Sequence, residues 1–446
     1  MSNGGPRRSV VGSLFLLIIG VLFLIHNFWP DLIRWRFLGR WWPVLLILWG
    51  VIRLIENLSG SRRGLRGGEV LLLVLLILVG VAISVAPRIP DVIHVDQPGD
   101  FPFTETADVS QQLTPCELPP GALVRIDTGQ GDISVDGTSD AKQLRVVVRK
   151  TGYAMTEDEA RARATAATVN GFKCGQEVNL QGSVKGQDDS TTRMSFEVHL
   201  PQNVALDLRT GHGDVQVDGI RGNVAASDTR GDVTLRDIGG DARVDLGRGD
   251  ARVSDAKGNV HVSGKGSEVE VTDIGGAATI DGEFYGPISA RNVVGGARFV
   301  SSHTDLTIGG LPGRMSVESG DVSVSNASGP FLLTTGDKSI SLEDITGRIR
   351  VQNKRGDITM RLKAAPKDEI DLGNDSGAIE LALPAKSAFD ISATSRGGDI
   401  ENELDPSALK VTREGNNSTL QGKTGVKGPK ITLNTSYGAI RLKPSD

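Results

Sequence analysis

Apolar residues follow two different patterns along the chain. In the first part they form long continuous runs at 10–28, 41–55 and 70–86. Such runs predict helices that cross a membrane, although the middle run is shorter than the roughly 20 residues that a span usually needs. Further on, apolar and polar residues alternate in short stretches, as in β-strands with one buried face. The pattern therefore predicts a transmembrane anchor, residues 1–88, and an all-β domain, residues 121–446.

A proline-rich segment, residues 89–120, connects the two parts. It contains six prolines and few neighbouring apolar residues. Proline fixes one backbone angle and cannot donate a backbone hydrogen bond, so proline-rich segments tend to form extended spacers. We expect this segment to be a stalk.

One helix is predicted near the start of the β-domain. Thr156 and Glu159 have the spacing of a capping box, in which two side chains satisfy free N–H groups at the start of a helix. The alanine-rich run that follows favours a helix up to about Val169, and Gly171 lies just beyond it.

The β-domain contains a nine-residue repeat. The residues two and four positions after the repeating glycine are apolar in all eight copies, and the residue directly after it is Asp or Asn in six. Alternation of this kind predicts a short strand with inward and outward side chains, followed by a turn. The repeating position is occupied by Gly213, Gly222, Gly231, Gly240, Gly249, Gly258, Ser267 and Gly276.

The sequence also has a second period, of 18 residues, which is twice the first. Seven residues after the glycine, every other copy has an apolar residue, and these residues are Ile220, Ile238, Ala256 and Ile274. Two nonamers therefore form one unit, and only one of its two turns buries an apolar side chain. This pattern predicts a β-solenoid with 18-residue coils and two strands per coil. An antiparallel meander is the alternative, because nine residues also suffice for a strand and a turn.

The charge is distributed unevenly along the chain. The formal net charge is −5, but the anchor alone carries +7 and the remainder −12. An acidic domain argues against nucleic acid as a partner. Six arginines lie on the side of the membrane that holds the amino end and four on the other side, so the positive-inside rule predicts that the C-terminal domain is extracytoplasmic.

Known catalytic and metal-binding motifs are missing from the sequence. It has no HExxH, GxSxG or phosphate-binding loop. Calcium-binding nonamer arrays have a different composition, with a single apolar residue in each repeat. We therefore predict no catalytic, cofactor-binding or metal-binding residues. Three Arg-Gly-Asp triplets, at 230–232, 248–250 and 355–357, are interpreted as turn sequences and not as a receptor ligand.

The chain has two cysteines, Cys116 and Cys174. In an oxidising compartment they are candidates for a disulfide that would tie the end of the stalk to the start of the β-domain. The alternative is two unrelated thiols.

Residues 121–446 are similar to the bacterial putative-adhesin β-strand-repeat family, a domain of unknown function. The similarity is carried by FEVHLPQNVALDLRTGHGDVQVDGIRGNV, by the repeated RGDVTL and RGDARV units and by the predicted helix. Residues 8–58 resemble the Lia-type membrane region of bacterial envelope-stress proteins, through GSLFLLIIGVLFLIHNF, a Trp-rich loop and WWPVLLILWGVIRLIENL. These resemblances imply a repetitive β-fold and a role at the cell envelope, and they imply no chemistry.

Together these observations predict a multi-pass protein of the bacterial inner membrane. Its helices would contact membrane lipid, and its extracytoplasmic β-solenoid would serve binding, scaffolding or envelope-stress sensing, with an envelope polymer or a protein as partner. The alternatives are a polymerising structural solenoid, as in the bactofilins, and a carbohydrate-active enzyme.

Overall fold

The computed structural model describes residues 105–138, 142–184 and 191–445. The chain divides into two compact units, 1–97 and 98–446, and the described residues belong to the second. The three predicted membrane segments therefore lie outside the described residues. Within the described ranges, no helix has the length and apolar character needed to cross a membrane.

The described residues form 32 strands and one helix. The first group is β1 (Glu105–Gln112), β2 (Cys116–Glu117), β3 (Leu123–Thr128), β4 (Ile133–Thr138), β5 (Gln143–Ala154), α1 (Glu157–Ala166), β6 (Ala167–Asn170), β7 (Glu177–Val184), β8 (Thr192–Pro201) and β9 (Ala205–Thr210). The regular repeat comprises β10 (Val215–Ile220), β11 (Val224–Asp228), β12 (Val233–Ile238), β13 (Ala242–Leu246), β14 (Ala251–Ala256), β15 (Val260–Gly266), β16 (Val269–Ile274), β17 (Ala278–Phe284), β18 (Ile288–Val293) and β19 (Ala297–Val300).

The second half begins with two long strands, β20 (Thr304–Val317) and β21 (Asp321–Asp337). Then follow β22 (Ser339–Thr346), β23 (Ile349–Arg355), β24 (Ile358–Arg361), β25 (Ile370–Ser376), β26 (Ile379–Leu383), β27 (Phe389–Ser395), β28 (Ile400–Asn402), β29 (Leu409–Glu414), β30 (Asn417–Thr424), β31 (Lys430–Tyr437) and β32 (Ile440–Pro444).

The strands pair into two rows, which we call face A and face B, and one continuous apolar core fills the space between them. Face A has the order β6-β7-β3-β9-β11-β13-β15-β17-β19-β20-β21-β23-β25-β31-β27-β30-β29. Face B has the order β1-β5-β8-β4-β10-β12-β14-β16-β18-β20-β21-β22-β24-β26-β32-β28. The strands β20 and β21 are long enough to contribute to both faces.

The register confirms the predicted 18-residue coil. Strand β10 pairs in parallel with β12, so that Val215 lies opposite Val233, and β12 pairs in the same way with β14, which places Val233 opposite Ala251. A meander would have paired consecutive strands antiparallel, so that alternative is wrong for the repeat. Coils in such a stack are separated by about 4.8 Å.

A bulge explains why the second period exists. On β12 the side chains of Val233, Leu235 and Ile238 are all completely buried, although the spacing between the last two is three residues and not two. Asp237 has a left-handed backbone, with φ at +51°, which restores the inward direction at Ile238. Asp and Asn tolerate this conformation better than other non-glycine residues. The equivalent residues Gly219, Asp255 and Asp273 also have positive φ, which leaves one buried residue at this turn in every coil.

The chain reverses once in the middle of the stack. Strand β20 runs antiparallel to both β18 and β19, and β21 then runs antiparallel to β20. The original direction is regained in β21, which pairs in parallel with β22 and β23. One coil, residues 304–317, therefore runs backwards between two regular stacks.

At both ends the coils are stacked out of sequence order. The first coil, β3 and β4, lies between the β7–β8 coil and the β9–β10 coil. The last coil, β31 and β32, lies between the β25–β26 coil and the β27–β28 coil. Each terminal coil of the chain is thus an inner coil of the stack.

The N-terminal end differs from the sequence prediction in two places. The Thr156 hydroxyl does cap the helix by accepting from the Glu159 N–H, but the helix ends at Ala166, because Ala167–Asn170 pairs with β7 as a strand. β-Branched residues such as Val169 favour this extended form. The other correction concerns the stalk: Glu105–Gln112 pairs antiparallel with β5, so this part of the segment 89–120 belongs to the β-domain.

A pair of substitutions on β12 tests the inward and outward assignment. Val233→Asp places an unpaired carboxylate in the apolar core and is expected to lower the free energy of unfolding by about 3 kcal/mol or more. Thr234→Asp on the same strand points outward and is expected to be nearly neutral. Thermal unfolding of the two full-length variants measures the difference. Equal destabilisation by both substitutions would contradict the assignment.

Candidate functional site

The Asp residues after the repeating glycines connect neighbouring coils. The Asp214 carboxylate accepts a hydrogen bond of 3.0 Å from the backbone N–H of Asp232, and the Asp232 carboxylate accepts one of 2.9 Å from the N–H of Asp250. The series extends to Asp132 at one end and to Glu268 at the other. A second series joins Asn223, Asp241, Asn259 and Ala277 at the opposite turn. The Asp and Asn columns of the sequence are therefore acceptors for backbone N–H groups.

These contacts explain the Arg-Gly-Asp triplets. Gly231 has φ at +154°, and a β-carbon there would lie 2.3 Å from the Gly213 carbonyl oxygen of the coil below. Glycine is thus required by the stacking, and Asp232 is required by the series just described. The Asp357 carboxylate similarly accepts from the Ala378 N–H, at 2.8 Å. The acidic group of each triplet accepts a backbone hydrogen bond from the neighbouring coil, which supports the interpretation of the triplets as turn sequences.

A second series of hydrogen bonds runs inside the same turn. Buried polar side chains donate to the glycine carbonyl oxygen of the neighbouring coil, where a strand gives way to the turn. The donors and acceptors are Thr210 and Gly131, at 2.9 Å; Asn374 and Gly356, at 2.7 Å; Thr435 and Gly377, at 3.1 Å; and Ser395 and Gly438, at 2.7 Å. A donor thus recurs at this position in several coils, although Leu246 occupies it in another.

Asp228 occupies this donor position in its own coil. Its side chain is 2% exposed, and one oxygen, Oδ1, accepts from the Arg230 N–H at 3.0 Å. The other oxygen, Oδ2, is buried without a partner. A β-carbon built on Gly231 would lie 2.7 Å from this oxygen and 2.3 Å from the Gly213 carbonyl oxygen, so both oxygens lie beside Gly231. Only a protonated carboxyl group can donate here.

Burial raises the pKa of Asp228 to about 7, and the carboxylates of Asp214 and Asp232 act in the same direction. The backbone N–H of Arg230 opposes the increase by bonding to the charged form. The folded protein therefore retains this proton between about pH 4 and pH 7, whereas the unfolded chain releases it near its ordinary pKa of 3.8. Stability must fall as the pH rises through this window.

Asp228→Asn is expected to remove this pH dependence. An amide donates at any pH, as Asn374 does, so the variant should be more stable than the natural protein at pH 8 by about 1–3 kcal/mol. The measurement is the thermal unfolding midpoint of both proteins at pH 5 and at pH 8. Asp281→Asn, at an exposed position on face A, is the matched control and should keep the natural pH profile. If Asp228→Asn keeps it as well, the proton on Asp228 has no energetic role.

Ion pairs neutralise much of the outer surface of face A. Arg243 lies 3.1 Å from Asp245, and Arg350 lies 3.4 Å from Asp371 on a neighbouring strand. Further along, Arg298 lies 3.6 Å from Asp305. Pairs of this kind are exposed and add little stability. Their effect is to present a flat surface with alternating charges that cancel locally.

Two clefts lie on the surface of the described residues. One, of about 460 Å³, lies on face A where β3, β7 and β9 meet, and Arg125 and Arg209 in its lining both bind Asp207. Another, of about 220 Å³, lies beside β27 near the C-terminal end. In the described ranges, no group of three or more His, Cys, Asp or Glu side chains could hold a metal ion.

Cys116 and Cys174 are joined by a disulfide, with their Cα atoms 6.0 Å apart. Cys116 lies on β2, which pairs with β5, and Cys174 lies between β6 and β7. The bond therefore ties face B to the segment that leads into face A. Nearby, the buried Lys150 donates to the Ala167 carbonyl oxygen at the end of α1, and burial lowers the pKa of this lysine.

The sequence predicted the inward columns, the turn residues and the two cysteines, but it did not single out Asp228. The signal was present in one respect. Asp228 lies 18 residues after Thr210 and 18 before Leu246, and so falls in a column of inward positions. From the sequence alone, a single Asp at an inward position of a strand does not show which group its carboxyl bonds, so Asp228 was not recognised.

Two stacked rows of parallel strands, linked by glycine turns and closed at one end by a helix, define the class of fold. The chain belongs to the Toastrack DUF4097 family, which matches residues 125–443. The resemblance of residues 8–58 to a Lia-type region lies outside this match and outside the described residues. It stays a prediction.

Solved structures of three bacterial proteins are similar to this chain. A putative cell adhesion protein from Clostridium sporogenes has 10% identity, with 76% of this chain and 100% of that chain covered and a TM-score of 0.17. Putative adhesins from Bacteroides fragilis and Parabacteroides distasonis have 10% and 11% identity, each with 75% of this chain and 97% of the other covered and a TM-score of 0.21. No curated protein matches the chain.

Proposed function

We propose that this protein is a non-enzymatic, membrane-anchored envelope protein whose extracytoplasmic solenoid binds an extended partner. The observation that carries the proposal is the shape of faces A and B. Both present side chains in straight rows across neighbouring strands, as in the row of Arg125, Asp207 and Ala225 on face A. Rows of this kind match a polymer or a flat protein surface. Scaffolding and envelope-stress sensing would both use the same binding step.

Two buried groups with perturbed pKa values support binding over catalysis. Asp228 has a pKa in the range of a general acid, but its side chain is 2% exposed and faces the core. Lys150, the buried lysine described above, is 5% exposed and bonds a helix end. A catalytic group must reach a substrate in a preorganised concave site. Neither side chain meets that requirement.

The disulfide supports a location outside the cytoplasm, because disulfides persist in oxidising compartments. The excess of arginine on the amino-terminal side of the predicted spans favours the same topology. In this proposal the apolar runs at 10–28, 41–55 and 70–86 contact membrane lipid as an anchor in the bacterial inner membrane.

The covered N-terminal end of the stack favours binding over polymerisation. Helix α1 packs mainly on β1 and β5, the outermost strands of face B at this end. Ala160 and Ala164 on its inner side are completely buried. End-to-end assembly of the bactofilin kind needs a bare coil at this position.

A reporter fusion tests the topology. A reporter that is active only outside the cytoplasm, fused after Asp446, is expected to be active, and a reporter active only in the cytoplasm should be silent at the same site. As a second measurement, Cys116 and Cys174 should react with a thiol reagent in denatured protein only after reduction. Activity of the cytoplasmic reporter together with free thiols would reverse the assignment.

The absence of catalysis is tested with the purified full-length protein and polysaccharides extracted from bacterial envelopes. We expect no new reducing ends and no unsaturated sugar products, with or without added calcium. We also expect binding to such polymers to be spread along a face, so that no single substitution abolishes it. A point variant that folds normally and yet eliminates turnover of a defined glycan would show that the protein is an enzyme.

A further inference from the structure

Face B carries an unbroken row of hydroxyl groups across five neighbouring strands. The row consists of Ser289, Ser316, Ser323, Ser341 and Thr359, each directly opposite the next in the strand register. We call these residues the hydroxyl row. Four steps between strands give it a length of about 19 Å. Glu270 and Glu380 occupy the same position on the strands at its two ends.

The hydroxyl row depends on the reversed coil. Ser316 belongs to β20, which runs antiparallel to β18 and to β21, so that Ser289 and Ser323 become its neighbours. The intervals between these residues in the sequence are therefore irregular. For this reason the nine-residue pattern does not reveal the row.

Two arginines lie beside the hydroxyl row with no acidic partner. Arg291 and Arg314 are directly opposite each other on β18 and β20, two positions along from Ser289 and Ser316. Both side chains are exposed, and neither has a carboxylate within ion-pair distance among the described residues. Arg236, in the same column of face B, lies 3.7 Å from Asp218. Like charges directly opposite each other are destabilising, so this pair is not explained by stability.

An exposed aromatic ring lies on the same coil. Tyr285 is 85% exposed in the turn that leads into β18, the strand that carries both Ser289 and Arg291. An exposed tyrosine offers a flat apolar surface with a polar tip. The coil with Tyr285 is one residue longer than its neighbour, because Val269 is paired with Ile288 and not with residue 287.

From this juxtaposition we infer that the hydroxyl row, with Arg291 and Arg314, binds an acidic polysaccharide. The inference rests on the proposed binding function and names the class of partner. Guanidinium groups pair with carboxylate or phosphate, serine and threonine hydroxyls exchange hydrogen bonds with sugar hydroxyls, and the Tyr285 ring packs on a sugar face. The flat row accepts an extended chain.

The distribution of charge favours a glycan over a nucleic acid. Duplex DNA carries a charge about every 1.7 Å and needs a continuous basic surface. Here two arginines lie beside the hydroxyl row, Glu270 lies at one end of it, and the Glu318 carboxylate accepts from the Ser316 hydroxyl within it. At the other end Glu380 is already paired with Lys443, at 3.1 Å. The row therefore offers no continuous basic surface. A polysaccharide with one charge per sugar or fewer needs only a short basic region.

The experiment measures binding of the full-length protein to alginate, a polymer of carboxylated sugars, with neutral dextran, inorganic polyphosphate and duplex DNA as comparison ligands. We expect alginate to bind and dextran to bind at least about tenfold more weakly. The double variant Arg291→Gln, Arg314→Gln should weaken alginate binding about tenfold or more, because it removes two charge-assisted contacts. Ser323→Val should weaken it less.

The matched control is Arg243→Gln, Arg350→Gln, which removes two exposed arginines from face A. It should change alginate binding by less than about twofold. If polyphosphate binds as tightly as alginate to the natural protein and loses as much affinity in the Arg291 and Arg314 double variant, the site is a simple anion site. That result would overturn the choice of a polysaccharide. Tighter binding of DNA would overturn it as well.

Other outcomes separate the site from the function. If the two double variants bind alginate equally well, the hydroxyl row is not the binding site, while the proposed binding function stands. A failure of every polysaccharide to bind would overturn this inference, and retention of a protein partner would then preserve the wider proposal. Cleavage of alginate would contradict the non-enzymatic function without contradicting the site.

Discussion

Neighbouring coils of this protein must place matching hydrogen-bond donors and acceptors opposite each other, and the rest of the structure depends on that requirement. At the turns the backbone N–H and C=O groups of one coil face side chains of the next, as with Asp214 and the Asp232 N–H. Glycine is needed where the backbones come closest, and in several coils a polar side chain donates to the carbonyl oxygen of such a glycine. Asp228 occupies the place of Thr210 and Asn374 with a buried carboxyl group, and burial raises its pKa to about 7.

The same constraint leaves the outward side chains free to vary. A residue such as Thr234 or Ser341 contributes nothing to the spacing of the coils, so the faces can acquire charge and hydroxyl groups without loss of the fold. On both faces that freedom produces local ion pairs, such as Arg243 with Asp245 on face A and Arg236 with Asp218 on face B. On face B it also produces two arginines that face each other next to a row of hydroxyls.

Much of the repeat could be predicted from the sequence, because the 18-residue period of Ile220 and Ile238 reflects a real bulge at Asp237. The start of the helix at Thr156 was also predictable from its capping chemistry. Three features were not. The reversal in Thr304–Val317 keeps the inward and outward alternation and changes only strand direction, which a pattern of apolar residues does not encode. The exchanged order of the terminal coils depends on long-range pairing. The hydroxyl row exists only because of the reversal, so it could not be predicted from the sequence either.

The insertion of the terminal coils between others has a mechanical consequence. In a solenoid stacked strictly in sequence order, a pull on one end can detach the coils singly, and each detachment breaks contacts on one side only. Here the C-terminal coil, β31 and β32, is hydrogen-bonded to a coil on each side. Drawing it out means shearing two sets of strand contacts at once, and β3 and β4 are held in the same way at the other end. A pull on the C-terminal end of the domain therefore meets more resistance than it would in a stack ordered strictly by sequence.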